Sequence, residues 1–202
     1  MKILKIICDE SVPSTHLLNT QDWDVVTTAN EDTFAMTRKV LGISEEVVKE
    51  LKLATGESEY ITIKDDGRKT SEIMAECRSL FEVHSYYTDK ELDKQFKPVK
   101  SERKFRYLQE SDPENANKSA NDLEKEGGEY ITLRERLLYE ILYFNKEKKH
   151  LDEKNVTLCA GSRRVDGDVP GVDFFVGDQT LYVGWSRPGY VDDSWRARSV
   201  VK

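Results

Sequence analysis

Asp166 and Asp168, one residue apart in "RVDGDVP", have the spacing of a metal or phosphoryl-transfer pair. A phosphatase Asp-x-Asp follows a buried apolar strand, and here "SRRV" precedes it. A calcium loop of the EF-hand kind needs further acidic positions and a closing glutamate, which the tail lacks. The two are therefore read as turn formers. Asp192 and Asp193 occupy a similar loop, with a better claim to touch a ligand. Cys8, Cys77 and Cys159 are odd in number and far apart, and His16, His84 and His150 are as scattered. That pattern predicts neither a zinc site nor a disulfide framework. No G-x-S-x-G, Walker loop or dinucleotide fingerprint occurs. No catalytic constellation, metal or cofactor is expected, and the chain is not read as an enzyme.

What the side chains do offer is contact chemistry. From Asn155 to Lys202 there is no glutamate, histidine or methionine, and the sole lysine is the last residue. Outward or loop positions in that tail are Arg164, Gly171, Asp173, Phe175, Tyr182, Gly184, Ser186, Arg187, Tyr190, Val191 and Asp192, with Trp185 bordering the loop. Tyr and Trp give large contact area with few rotatable bonds, Ser and Gly adapt, and Arg anchors. Lys and Glu, which lose much rotamer entropy when immobilised, are missing. Turn chemistry accounts for the Gly and Asp, but not for the loss of every Glu.

These positions need elements to hold them. "VDFFV" alternates, with Val172, Phe174 and Val176 predicted inward and Asp173 and Phe175 outward. "GDQ" turns the chain, and "TLYVGW" sends Leu181, Val183 and Trp185 one way and Tyr182 and Gly184 the other. "NVTLCA" places Val156, Leu158 and Ala160 on one side, and "WRARSVV" closes the chain as another strand. Before the tail, Thr132 and Glu135 form a T-x-x-E capping box opening a helix with a stripe of Leu137, Leu138, Ile141, Leu142 and Phe144. A second helix is predicted in "TSEIMAECRSLF", capped by Thr70 or Ser71, and a third from Ser44. Strands are predicted at 3–8, at 24–28 and in "EYITIKDDG". Residues 88–128, rich in Lys, Glu, Asp, Asn and Ser, read as a charged insertion or solvated loop.

The whole is an α+β pattern of 202 residues, taken as a single domain over 1–202. A formal charge of −7 argues against general nucleic-acid binding and against docking on anionic membranes. The short apolar run at the N-terminus is cut by Asp9 and Glu10, so no signal peptide, transmembrane segment or membrane insertion is predicted. Compartment and oligomeric state stay open.

The segments "LCAGSRRVDGDVPGVDF", "LYVGW" and "PGYVDDSWRARSVV" resemble the C-terminal variable region of the proteins diversified by diversity-generating retroelements, archaeal members among them. The resemblance covers about the last quarter of the chain, with residues 159–202 as the variable ligand-binding region. It implies a C-type lectin-like fold, with small antiparallel sheets, flanking helices and long loops that hold a ligand. It also implies sequence variation by adenine replacement in AAC or AAT codons, which cannot yield Lys, Glu, Gln, Met or Trp. On that logic Gln179, Trp185 and Trp195 belong to the scaffold or are exceptions. Val172, Phe174, Leu181, Val183 and Trp195 would be the fixed core, and the strands at 3–8 and 195–201 the meeting chain ends. With no Glu in the tail, no calcium site is expected. The implied partner is another protein or a cell-surface ligand of unknown identity. Two other readings stand beside this one: an enzyme on a lectin-like scaffold of the formylglycine-generating kind, and a structural virion component.

Overall fold

The computed structural model describes residues 60–201 and, before them, the strands at 4–6 and 25–27. The chain divides into two units, Met1–Ser58 and Glu59–Lys202, where the sequence reading ran one domain throughout. In the first, β1 (Leu4–Ile6) and β2 (Val25–Thr27) pair in parallel, Leu4 opposite Val25. The helix expected from Ser44, Cys8 and His16 lie outside the described residues.

The second unit mixes helix and strand in the order β3 (Tyr60–Lys64), α1 (Thr70–Leu80), β4 (Glu82–Ser85), α2 (Asp89–Gln95), β5 (Glu102–Arg106), α3 (Ala120–Lys125), α4 (Leu133–Glu147), β6 (Val156–Leu158), β7 (Val169–Phe175), β8 (Thr180–Ser186) and β9 (Trp195–Arg196). β3 and β5 form an antiparallel pair. The larger sheet has the order β4-β8-β7-β6-β9, in which β7 is central, β4 runs parallel to β8 and β9 parallel to β6. The architecture is α+β, as the pattern predicted, but the larger sheet is mixed where antiparallel sheets were expected, because its two outer strands, β4 and β9, run parallel to their neighbours.

The α4 capping box forms as read. Thr132 Oγ1 accepts from the Glu135 amide at 3.2 Å, and Glu135 Oε2 accepts from the Thr132 amide at 2.8 Å. Leu133, Leu137, Leu138 and Ile141 then pack with Ile73, Met74 and Cys77 of α1 and with Val172, Phe174, Leu181 and Val183 of the large sheet. Leu142, predicted in the stripe, is exposed instead. α1 is capped one residue early, at Lys69, whose amide donates to Glu72 Oε2 at 2.7 Å.

Residues 88–128 correct the sequence reading. They are not a solvated loop. Leu92, Phe96, Phe105, Ala120 and Leu123 are buried, and two further capping boxes, Thr88 with Glu91 and Ser119 with Asp122, start α2 and α3. Much of the segment's burial is polar: Ser111, Asp112 and Asn115 are almost fully enclosed. Asn115 Nδ2 donates to the Ala197 carbonyl at 3.0 Å, and Asp112 Oδ2 accepts from the Ser199 amide at 2.7 Å. This segment thus binds the chain end.

The closing strand is shorter than predicted and has other partners. Trp195 pairs with Val156 of β6, and beyond Arg196 the chain makes single bridges, Ser199 to Tyr130 and Val201 to Lys104 of β5. β1 has β2 as its partner. The expected meeting of 3–8 with 195–201 is not among the described pairings; within the second unit Ala197 and Arg198 turn into the interior, where they are buried.

A lattice of buried charge fixes that turn. Asp152 accepts from Arg136 Nε at 3.0 Å, from an Arg198 guanidinium nitrogen at 2.8 Å, from the Ser111 amide at 2.8 Å and from the Thr157 hydroxyl. Arg136 also pairs with Glu140 at 2.6 Å, and Arg198 donates to the Leu108 and Gln109 carbonyls at 2.8 Å. Burial opposes the charge of Arg136, but Glu140 and Asp152 overcome it and raise its pKa. A second buried pair, Arg134 with Asp65, ties α4 to the end of β3 at 2.6 and 2.5 Å. Burial would raise Asp65, yet the Arg134, Gly67 and Val99 donors outweigh it and hold the carboxyl below its ordinary value.

Candidate functional site

The strand alternation of β7 and β8 decides which side chains meet solvent. Val172, Phe174, Leu181 and Val183 point into the core and are fully buried, as predicted. On the opposite face the register sets Asp173 across from Tyr182 and Gly171 across from Gly184. His84 of β4 lies beyond Tyr182, and continuing the β6–β7 register places Val156, with Trp195 beyond it, on the other side of Asp173. One row, Trp195, Val156, Asp173, Tyr182, His84, therefore crosses all five strands, and Asp173 sits at its centre.

The paired glycines make this face concave. A Cβ built on Gly171 would come within 2.6 Å of the Trp195 ring, so the indole lies where that side chain would be. Opposite, Tyr86 covers Gly184 at ordinary contact distance. The result is a cleft of ≈ 510 Å³ floored by the two glycines and Asp173 and walled by Phe175, Tyr182, Trp185, Trp195, Tyr86 and Val156. A second depression of ≈ 620 Å³ shares Trp185 and adds Ser186, Arg187, Gly189 and Tyr190. It is backed by α3, where the Asn121 amide donates to the Pro188 carbonyl at 3.0 Å.

Asp173 is the chemically unusual group. Burial pushes its carboxyl up to about 6, with Arg136 opposing and Asp152 and Asp178 adding to the rise. It has no hydrogen-bond or ion-pair partner among the described residues. Its acidic neighbours do: Asp178 accepts from the Tyr182 hydroxyl at 2.7 Å, and Asp152 holds two guanidiniums.

Of the residues singled out in sequence, Gly171, Asp173, Phe175, Tyr182, Gly184 and Trp185 converge on the first cleft, and Ser186, Arg187 and Tyr190 join Trp185 at the second. Tyr190 remains 47% exposed and Phe175 56%. Three expectations are corrected. Gly171 is buried rather than outward-exposed, since Trp195 covers it. Trp185, inward by parity, is 46% exposed, because β4 ends at Ser85 opposite Val183 and leaves its side of β8 without a strand there, while Pro170 of β7 flanks the other. Val176 is exposed, because β7 ends at Phe175 and Val176 opens the turn that Gln179 closes by donating to its carbonyl at 2.7 Å.

Arg164 lines neither depression. Its guanidinium lies 4.9 Å from the Trp185 ring centre and 5.6 Å from that of Tyr87, and it pairs with Asp166 at 3.1 Å. Asp166 also accepts from the Asp168 amide, so these two aspartates serve a turn as read. Asp192 is likewise occupied: it accepts from Ser194 amide and hydroxyl and from the Tyr190 hydroxyl, bonds that lower its pKa. Val191 is exposed but lines neither depression. Sequence reasoning missed Tyr86 and Val156 as wall residues and placed Trp195 in the core. Tyr86 reaches the site through the parallel β4–β8 pairing, which joins segments about a hundred residues apart and leaves no local pattern.

Among the described residues, no helix is long and apolar enough to cross a membrane, and no three His, Cys, Asp or Glu side chains gather as metal ligands. Cys77 and Cys159 are buried free thiols whose pKa values burial raises, that of Cys77 to about 12. Compared with models of known families, with curated proteins and with solved structures, the chain matches none.

Proposed function

We propose that this is a non-enzymatic recognition protein whose tail, residues 159–202, is the diversified surface of a retroelement variable protein, carried on a C-type lectin-like unit and directed at another protein. The observation that carries the reading is a division of labour. The groups that fix the tail are Arg198, Asp152, Arg136 and the inward row Val172, Phe174, Leu181 and Val183, all buried. The groups on the cleft face, Tyr182, Trp185, Arg187 and Tyr190, make no bond to that lattice: the Tyr182 and Tyr190 hydroxyls reach only Asp178 and Asp192. A surface of this kind can change its side chains while its backbone stays in place. The closing segment bonding back to β5, and the antiparallel β6-β7-β8 centre of the mixed sheet, support the lectin-like architecture that the tail motifs imply.

The test has two arms. Replacing Tyr182, Trp185, Arg187 and Tyr190 together by alanine should cost less than about 2 kcal/mol, since exposed positions contribute about 0.5 kcal/mol each. Phe174→Ala alone should cost about 3–5 kcal/mol. Unfolding of the fourfold variant would sink the reading. In the surrounding genome, a reverse transcriptase gene and a near-copy of the coding segment for the tail are expected; absence of both removes the retroelement.

A further inference from the structure

An unpaired carboxylate enclosed by aromatic rings is an incomplete site. Asp173 stands on the central strand of the large sheet, half-buried, with no partner among the described residues, while the carboxylates nearest to it are engaged. Tyr182 is directly across the strand pair, Phe175 is two residues along on the same face, Trp195 packs over Gly171, and Trp185 and Tyr86 complete the wall. Ring faces carry negative electrostatic potential and attract cations within about 6 Å of their centres. One wall residue already engages a cation from outside the cleft: the Arg164 guanidinium lies 4.9 Å from the Trp185 ring.

We infer that the cleft is the seat of a basic side chain, the ammonium or guanidinium of a lysine or arginine presented by the protein partner, with Asp173 as counter-ion and the aromatic wall as its lining. This rests on the proposed recognition role and names what that surface takes. The chemistry excludes the alternatives. A neutral apolar group would strip water from Asp173 and return nothing, and an anion would meet both that charge and the ring faces. A cation recovers the cost of burying the carboxylate and gains the ring faces besides. The chain's formal charge of −7 adds long-range attraction for a basic partner.

The experiment titrates the intact protein with N-acetyl-argininamide, N-acetyl-lysinamide, the neutral N-acetyl-norleucinamide and tetramethylammonium chloride. Binding is read from indole fluorescence and from amide shifts of Asp173, Tyr182 and Gly184. Saturable binding of both basic amides is expected, with norleucinamide at least about tenfold weaker. Asp173→Asn should weaken the basic amides about tenfold and leave norleucinamide unchanged. Equal affinity for lysinamide and norleucinamide, or no saturable binding of either basic amide, overturns the inference; that comparison uses the unmodified chain, so it does not depend on a variant folding. Tighter binding of tetramethylammonium than of either amide overturns the side-chain source in favour of a small quaternary amine. If the fourfold face variant keeps its melting temperature while the amides fail, only the cation seat falls; if that variant unfolds, the recognition role itself falls.

Discussion

Asp152→Asn is the sharpest perturbation of the framework. The substitution keeps the shape of the side chain and removes one charge. In the native unit that carboxylate faces two guanidiniums, Arg136 at 2.9 Å and Arg198 at 2.8 Å, every side chain being 0–1% exposed. Without it, Glu140 alone answers two buried positive charges. Breaking a buried pair from one side costs about 3–5 kcal/mol, because the stranded charge has neither partner nor water. A unit the size of residues 59–202 is stable by about 7–15 kcal/mol, so this is about a fifth to two-thirds of the total. The melting temperature should fall by about 10–15 °C. The assay is urea unfolding at pH 7, followed by the fluorescence of Trp185 and Trp195, with Glu153→Gln, a half-buried neighbour outside the lattice, as control. An unchanged slope with a lowered midpoint is expected. A loss below about 1 kcal/mol would refute the reasoning, since the tail would then be held by its apolar row alone.

The glycine pair gives an asymmetric prediction: Gly171→Ala forces its Cβ to 2.6 Å from the Trp195 ring and should cost about 1–3 kcal/mol, whereas Gly184→Ala meets Tyr86 at 3.5 Å and should cost less than about 1 kcal/mol. Equal costs by thermal melting would show that Trp195 does not fill the place of a side chain. Asp173 makes stability depend on pH. Its folded value of about 6 lies above the ordinary 3.8, so its contribution is fully present below about pH 4 and is lost as pH rises through 6. Discounted for its solvent exposure, the loss is about 1 kcal/mol, and Asp173→Asn should abolish it; melts at pH 4.5 and 7.5 decide this, with Arg136, Asp152 and Asp178 left in place. Cys77 and Cys159, buried and protonated, should resist iodoacetamide in the native protein and react once it is unfolded in urea. Rapid native labelling at either, mapped by mass spectrometry, would contradict their burial.

The parts legible in sequence were those governed by local periodicity. The β7–β8 hairpin was read correctly through Val172, Phe174, Leu181 and Val183, because strand alternation follows directly from burying one face. The T-x-x-E box located α4 for the same local reason. The reading failed where polar side chains do the packing. Ser111, Asp112 and Asn115 lie in the interior, yet hydrophobic patterning assigns such residues to water and so reads 88–128 as a charged insertion or solvated loop, although Thr88 with Glu91 and Ser119 with Asp122 carry the signal of helix starts. Arg134, Glu135, Arg136 and Glu140 of α4 are buried, though hydrophobic patterning assigns charged residues to water. The cleft was half legible. Its β7 and β8 residues followed from parity, but Tyr86 and Val156 arrive from neighbouring strands, and Trp195 was assigned to the core.

Arg198 lies inside the segment proposed above as the contact surface. Its guanidinium grips the Leu108 and Gln109 carbonyls as well as Asp152, so a change there would loosen two distant stretches of chain at once. If the tail is the diversified surface proposed above, substitution is tolerated on its cleft face and halts before Ala197, which is buried. The tail's freedom has a physical boundary, and the amino acids beyond it answer to the interior rather than to any ligand.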